Sequence, residues 1–161
     1  VDAPLLFDVV AIAVPRRIGE FKSQELANTV WAFATAGVHA PLLFDVVAIA
    51  VPRRIGEFKS QELANTVWAF ATAGVDAPLL FDVVAIAVPR RIGEFNSQEL
   101  ANTVWAFATA GVDAPLLFNV VAIAVPRRIG EFKSQELANT VWAFATAGVH
   151  APLLFDVVAI A

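Results

Sequence analysis

Cysteine is absent from all 161 residues, which removes disulfides, thiolate metal sites and cysteine nucleophiles and leaves the redox compartment unreadable. Methionine is missing too, position 1 included. A processed or excised N-terminal end is therefore expected, and the lack of a targeting peptide carries no information. Charge is scarce: Asp, Glu, Lys and Arg make up 16% of the chain, with a net charge of −4 and a pI near 5.1. Nucleic-acid affinity comes largely from neutralised phosphates, so any such role must rest on a local basic patch. No long apolar run is present either. The longest, Pro4 to Val14, contains Asp8 and is about half the length of a membrane span, so it reads as a buried element of a soluble chain.

Also lacking are a Gly-rich phosphate loop, a nucleophile elbow and paired histidines at metal-ligand spacing. A carboxylate pair could be assembled from Asp8 and Glu20 in each unit, but near-identical units would then create several equal sites, which catalysis rarely needs. No enzyme activity, catalytic residue, metal or cofactor is expected.

Hydrophobic residues are abundant, at 58%, enough for a packed core and too many for a disordered segment. Their arrangement is periodic. The string SQELANTVWAFATAG occurs four times, beginning at Ser23, Ser60, Ser97 and Ser134, and the period is 37 residues. The units are 1–37, 38–74, 75–111 and 112–148, with a partial fifth at 149–161. One repeat domain, cut from a longer array, is the expected organisation. Three positions vary: Asp2, His39, Asp76, Asp113 and His150; Asp8, Asp45, Asp82, Asn119 and Asp156; and Lys22, Lys59, Asn96 and Lys133. Each exchange needs one nucleotide change, as in a recently duplicated natural gene.

The second half of the unit has a helical period, with Leu26, Ala27, Val30, Trp31, Phe33 and Ala34 on one broad side. Ser23 is the expected N-cap, Glu25 suits the positive first turn and Gly37 is placed to end the helix. Asn28, Thr29, Ala32 and Ala36 lie opposite, where small residues allow a neighbouring helix to approach closely. The first half, PLLFDVVAIAVP, is β-branched enough to suit a strand as well as a helix. As a helix it would be the inner, nearly fully covered one, ended or kinked by Pro15 before RRIGEFK turns the chain. Helix pairs and strand–helix units both remain open on periodicity alone.

Gln24, Leu26, Asn28, Trp31, Ala32, Ala34 and Gly37 recur in all four full units. This pattern resembles the Q-x-L-x-N-x-x-W-A-x-A-x-x-G signature of octotricopeptide repeats and of the similar heptatricopeptide repeats, whose 37-residue unit matches this spacing. Where octotricopeptide units carry a PPPEW-like stretch, this chain has APLLF at Ala3 to Phe7. The resemblance implies an all-α, right-handed solenoid of nine stacked helices. It further implies binding of single-stranded RNA, about one nucleotide per unit, in chloroplasts or mitochondria.

All basic residues fall in the turns: Arg16, Arg17, Arg53, Arg54, Arg90, Arg91, Arg127 and Arg128, with Lys22, Lys59 and Lys133. Stacked units would gather them along one edge, where arginine forks suit phosphate oxygens. The competing reading gives them to helix carboxyl ends and to Glu20 or Glu25. Asp8, Asp45, Asp82, Asn119 and Asp156 form a second candidate row that could read base edges, against a plain solvated-polar role. Asn28 and its copies are expected to hydrogen-bond along the stack and Trp31, Trp68, Trp105 and Trp142 to fill the core. An Asp or His at the second position is expected to cap a helix beside proline rather than to hold a metal. The other function class is a protein-interaction or structural scaffold, holding a peptide or stacking end to end with its own kind. A near-homopolymeric RNA tract is the expected target of the first class. No membrane partner is expected.

Overall fold

The computed structural model describes residues 3–161, so Asp2, the first of the expected caps, lies outside the described residues. Proline opens the first helix of each later unit, where its missing N–H would be unpaired anyway. These odd-numbered helices are α1 (Ala3–Arg16), α3 (Pro41–Arg53), α5 (Pro78–Arg90), α7 (Pro115–Arg127) and α9 (Pro152–Ile160). The even-numbered ones are α2 (Ser23–Ala36), α4 (Ser60–Ala73), α6 (Ser97–Ala110) and α8 (Ser134–Ala147). No strand occurs among the described residues, so the β-branched run is helical. Burial overrides its propensity: Leu43, Phe44, Val47 and Val51 of α3 are 0–1% exposed. Proline does not stop the helix at once. Pro52 sits in the last turn of α3, and the chain breaks only after Arg53 into the 3-10 turn Ile55–Glu57, the pattern of every full unit.

Gly37, Gly74, Gly111 and Gly148 end the even helices with φ of 68–71°, a left-handed conformation that glycine adopts without a Cβ penalty. The N–H of Val38 then donates to Phe33 O at 3.0 Å and that of Gly37 to Ala34 O at 3.2 Å, closing a Schellman motif. The start of these helices differs from expectation. Ser23 is already helical, and the N-cap is Lys22 or its counterpart Lys59, Asn96 or Lys133. Glu25 Oε1 accepts from the Lys22 N–H at 2.8 Å, but an ammonium has no lone pair to complete the capping box. Asn96 completes it: Glu99 N–H donates to Asn96 Oδ1 at 2.8 Å while Asn96 N–H donates to Glu99 Oε1 at 2.9 Å. The odd helices are capped by Ala40, Ala77, Ala114 and Ala151, with no side-chain bond, so His39, Asp76, Asp113 and His150 are exposed residues one position outside the expected cap.

The helices stack as an α-solenoid, even against even and odd against odd. Within a unit, odd and even helices are locked by edge-to-face phenylalanines, Phe44 on Phe70 and Phe81 on Phe107, with centroids 5.0 Å apart. Phe58 and Phe95, in the turns, are fully buried. The even helices approach one another much more closely than the odd ones do. Thr66, Ala69, Thr103 and Ala106 are 0% exposed at that joint. The small residues Thr29 and Ala32 thus act as expected. Asn28 does not: it is exposed, its copies are half-buried, and none makes a protein hydrogen bond among the described residues. The buried threonine replaces it by donating to the carbonyl four residues back, Thr66 Oγ1 to Glu62 O at 2.7 Å. The first helix is likewise not the covered one. Leu42 is 61% and Ile49 52% exposed, because the looser odd row leaves its outer side open.

Two substitutions separate these contributions. Ala69→Leu should lose about 1–3 kcal/mol by overpacking the even joint, whereas Lys59→Asn should gain about 1 kcal/mol by completing the capping box. Urea unfolding midpoints measure both.

Candidate nucleic-acid interface

The two arginines of each turn have separate surroundings. Arg54 Nε donates to Glu57 Oε2 at 3.3 Å, and its Nη2 reaches the preceding turn to donate to Phe21 O at 2.8 Å. Arg91 and Arg128 pair the same way with Glu94 and Glu131. Their side chains are 23% exposed, against 61% for Arg17, which has no unit before it within the described residues. Arg17 bonds Glu20 at 3.1 Å, and that hydrogen bond, then the carboxylate charge, raises its pKa above the ordinary value. The second arginine therefore belongs to the turn itself, joined to its own glutamate. Arg16, Arg53, Arg90 and Arg127 are exposed and have no carboxylate within ion-pair distance among the described residues. Lys22, Lys59 and Lys133 are exposed as well. Each full unit thus presents one open guanidinium and, six residues later in the chain, an exposed ammonium, with Asn96 replacing the ammonium in the third unit.

Asp8, Asp45, Asp82, Asn119 and Asp156 are all exposed. In α3 the solvent side runs Leu42, Asp45, Ile49, Arg53, a spacing that keeps one helix face. The acidic row and the open arginine row therefore share one side of the solenoid. They stand two helical turns apart, about 12 Å along the axis. Between them lie apolar clefts bridging adjacent units. One is lined by Ile18 and Gly19 of one turn and by Val46, Ile49, Ala50 and Arg53 of the next helix, with a volume of about 320 Å³. Its counterpart of about 290 Å³ is built from Ile92, Ile123 and Arg127.

The tryptophans are not core residues. Trp31, Trp68, Trp105 and Trp142 form a partly exposed ladder, with centroids 6.2–6.4 Å apart and planes inclined by 28–30°. Trp31 and Trp142 are 44% and 47% exposed. On the helical wheel Trp31 sits at the border of the Leu26–Val30–Phe33 arc, in line with Gln24, Asn28 and Thr35. That i, i+4, i+7, i+11 stripe was the available signal, and it was outweighed by the usual burial of indole.

A family model described as RNA-editing substrate-binding complex 6 protein matches residues 7–161. The chain belongs to this family. Membership ties the helical repeat to RNA and to a multi-component complex, both in the family's name, and it is not specifically an octotricopeptide or heptatricopeptide assignment. No curated protein matches the chain. No described helix is long and apolar enough to cross a membrane.

The division of the arginines is testable by stability. Arg54→Ala should lower unfolding free energy by about 1 kcal/mol through removal of the inter-unit bond, while Arg53→Ala should change it by less than about 0.5 kcal/mol. Paired urea titrations give the comparison.

Proposed function

We propose that the chain binds single-stranded RNA along its arginine-bearing edge, about one nucleotide per unit, as an RNA-holding part of the family's complex. The observation that carries this reading is the row of open guanidinium groups, Arg16, Arg53, Arg90 and Arg127, repeated once per turn beside Lys22, Lys59 and Lys133. Such groups neutralise phosphate and release counterions. Glu20 and its copies hold Arg17, Arg54, Arg91 and Arg128 in the turn, so those four shape the edge on which the others act. Asp8, Asp45, Asp82 and Asp156 stand on the same side, and phosphates spreading that way would meet negative charge. Phosphate is therefore assigned to the arginines and lysines, and the acidic row is not required. Identity of the unit as an octotricopeptide or heptatricopeptide type, and the organellar setting that this resemblance implies, belong to the same proposal. The role is one of binding, without catalysis.

A protein-binding role has its own support. The clefts around Ile49 and Ile123, and the exposed Leu42, Leu79 and Leu116, form an apolar outer side with an arginine at one end. Exposed apolar patches of this kind mark interaction surfaces.

Replacing Arg16, Arg53, Arg90 and Arg127 by glutamine distinguishes the two. Binding of homopolymeric RNA should fall for every sequence alike, and the slope of log affinity against log salt should shrink by about one for each phosphate no longer neutralised. Unchanged RNA affinity, or affinity insensitive to salt in the parent chain, overturns the RNA reading. Fluorescence anisotropy of labelled oligonucleotides across a salt series supplies both quantities.

A further inference from the structure

Each even helix carries a row of polar groups that the fold does not use. Asn65, Asn102 and Asn139 are half-buried, as are Trp68 and Trp105, yet no buried side-chain nitrogen or oxygen lacks a partner among the described residues. Neither the asparagine amides nor the indole Nε1–H groups donate or accept a protein hydrogen bond there. Their polar atoms are therefore open to solvent. Gln61 and Thr72 share the same helical face and are exposed. Between Glu62 and Gly74 that face contains no charge, and it recurs in every full unit.

Its position in the solenoid gives the row a direction. The even helices are the closely packed ones, and their indoles stand 6.2–6.4 Å apart. That is less than the 8–10 Å usual between packed helix axes. The indoles therefore run in an unbroken line from unit to unit along the even row. The N-terminal end of every even helix adjoins the turn with its open arginine, accompanied by a lysine before α2, α4 and α8 and by Asn96 before α6.

We infer that the Gln61–Asn65–Trp68–Thr72 stripe and its counterparts form the base-contacting face for the RNA strand whose phosphates follow the arginine edge. This rests on the RNA reading above and assigns the bases to the even face, away from the carboxylates of the odd one. An amide offers a donor and an acceptor side by side, the pattern that base edges complement, and an uncharged face does not repel the strand. Adjacent indole centroids stand 6.2–6.4 Å apart with their planes inclined by 28–30°. What the ladder offers is the N–H at each indole edge. Its spacing is nearly twice the rise of about 3.4 Å per nucleotide in a stacked strand, so a strand reading one base per unit must be unstacked, each base turned onto its own amide. Such splayed bases are the form in which single-stranded RNA is read by sequence. Asn28, Asn65, Asn102 and Asn139 are identical, so all four units should favour the same base.

The protein reports on this face directly, because its four tryptophans all lie there and it has no tyrosine. Titration with oligo(A), oligo(C), oligo(G) and oligo(U) should change tryptophan emission saturably, with one homopolymer preferred. Replacing Asn28, Asn65, Asn102 and Asn139 by alanine should reduce that preference by about fivefold or more, the lower end of what a base contact contributes, with the salt slope retained. The arginine-to-glutamine variant should show the opposite split, losing slope and keeping preference. Salt-dependent RNA binding with unchanged emission, and with base preference intact in the asparagine variant, overturns the even-face assignment and leaves the RNA reading standing. Absence of RNA binding altogether overturns both. An emission change with a random-sequence peptide but not with RNA overturns the assignment to bases. If the fourfold variant loses its helical circular-dichroism signal, Asn65→Ala and Asn102→Ala alone carry the same comparison.

Discussion

The close approach of the even helices is the constraint on which the remaining geometry depends. It requires residues no larger than threonine and alanine at the joint, and Thr66, Ala69, Thr103 and Ala106 meet it with complete burial. A buried hydroxyl there needs a partner, and the carbonyl one turn back supplies it at 2.7 Å without reaching across the joint. Cohesion at the even joint is therefore steric and apolar, and the polar groups of the neighbouring stripe are left unused. If the joint were wider, the indoles would separate.

The odd helices are positioned by a different device. Edge-to-face phenylalanine pairs fix α1, α3, α5 and α7 against their even partners, and the turn phenylalanines Phe58, Phe95 and Phe132 are buried. No aromatic pair joins successive odd helices among the described residues, and their outer face remains open, with Leu42 and Ile49 exposed beside Asp45. The inter-unit bond from Arg54 to Phe21 O closes that side only at the turn. One arginine is thereby committed to structure, and its sequence neighbour, at the end of a helix facing solvent, stays available. Adjacent residues of the same type acquire different duties because one points along the stack and the other away from it.

Much of the fold was legible because the period and the apolar spacing are strong signals. The even-helix pattern, its glycine stop and the small-residue joint all follow from residue size and helical angle. Other features were not legible, three of them for distinct physical reasons. Propensity could not rank helix over strand for the valine-rich half, since only neighbours that bury Val47 and Val51 decide it. Serine seemed the natural cap because its oxygen suits the role, yet the chain begins its helix one residue earlier and leaves lysine there. The tryptophan row was read as core because indole is usually buried, and whether a border position is covered depends on how far the next unit overlaps it. Within the candidate site the recurrence of basic residues once per unit was visible from spacing alone. Its division into paired and open arginines needed the turn geometry that brings Glu57 back onto Arg54.

Lysine at the even-helix N-cap is where stability and the proposed chemistry meet. It lacks an acceptor, so in units one, two and four the helix start is only half satisfied. A cation is also unfavourable beside the positive end of a helix dipole. Unit three shows that asparagine at the same place completes both bonds without disturbing the stack. The local rule is thus broken where its remedy is one substitution away, the pattern expected where a position serves something other than stability. What lysine supplies and asparagine does not is a positive charge beside the open arginine, on the edge from which the uncharged even face begins. In units one, two and four the half-satisfied helix start and the charge proposed to act on the edge therefore have the same origin.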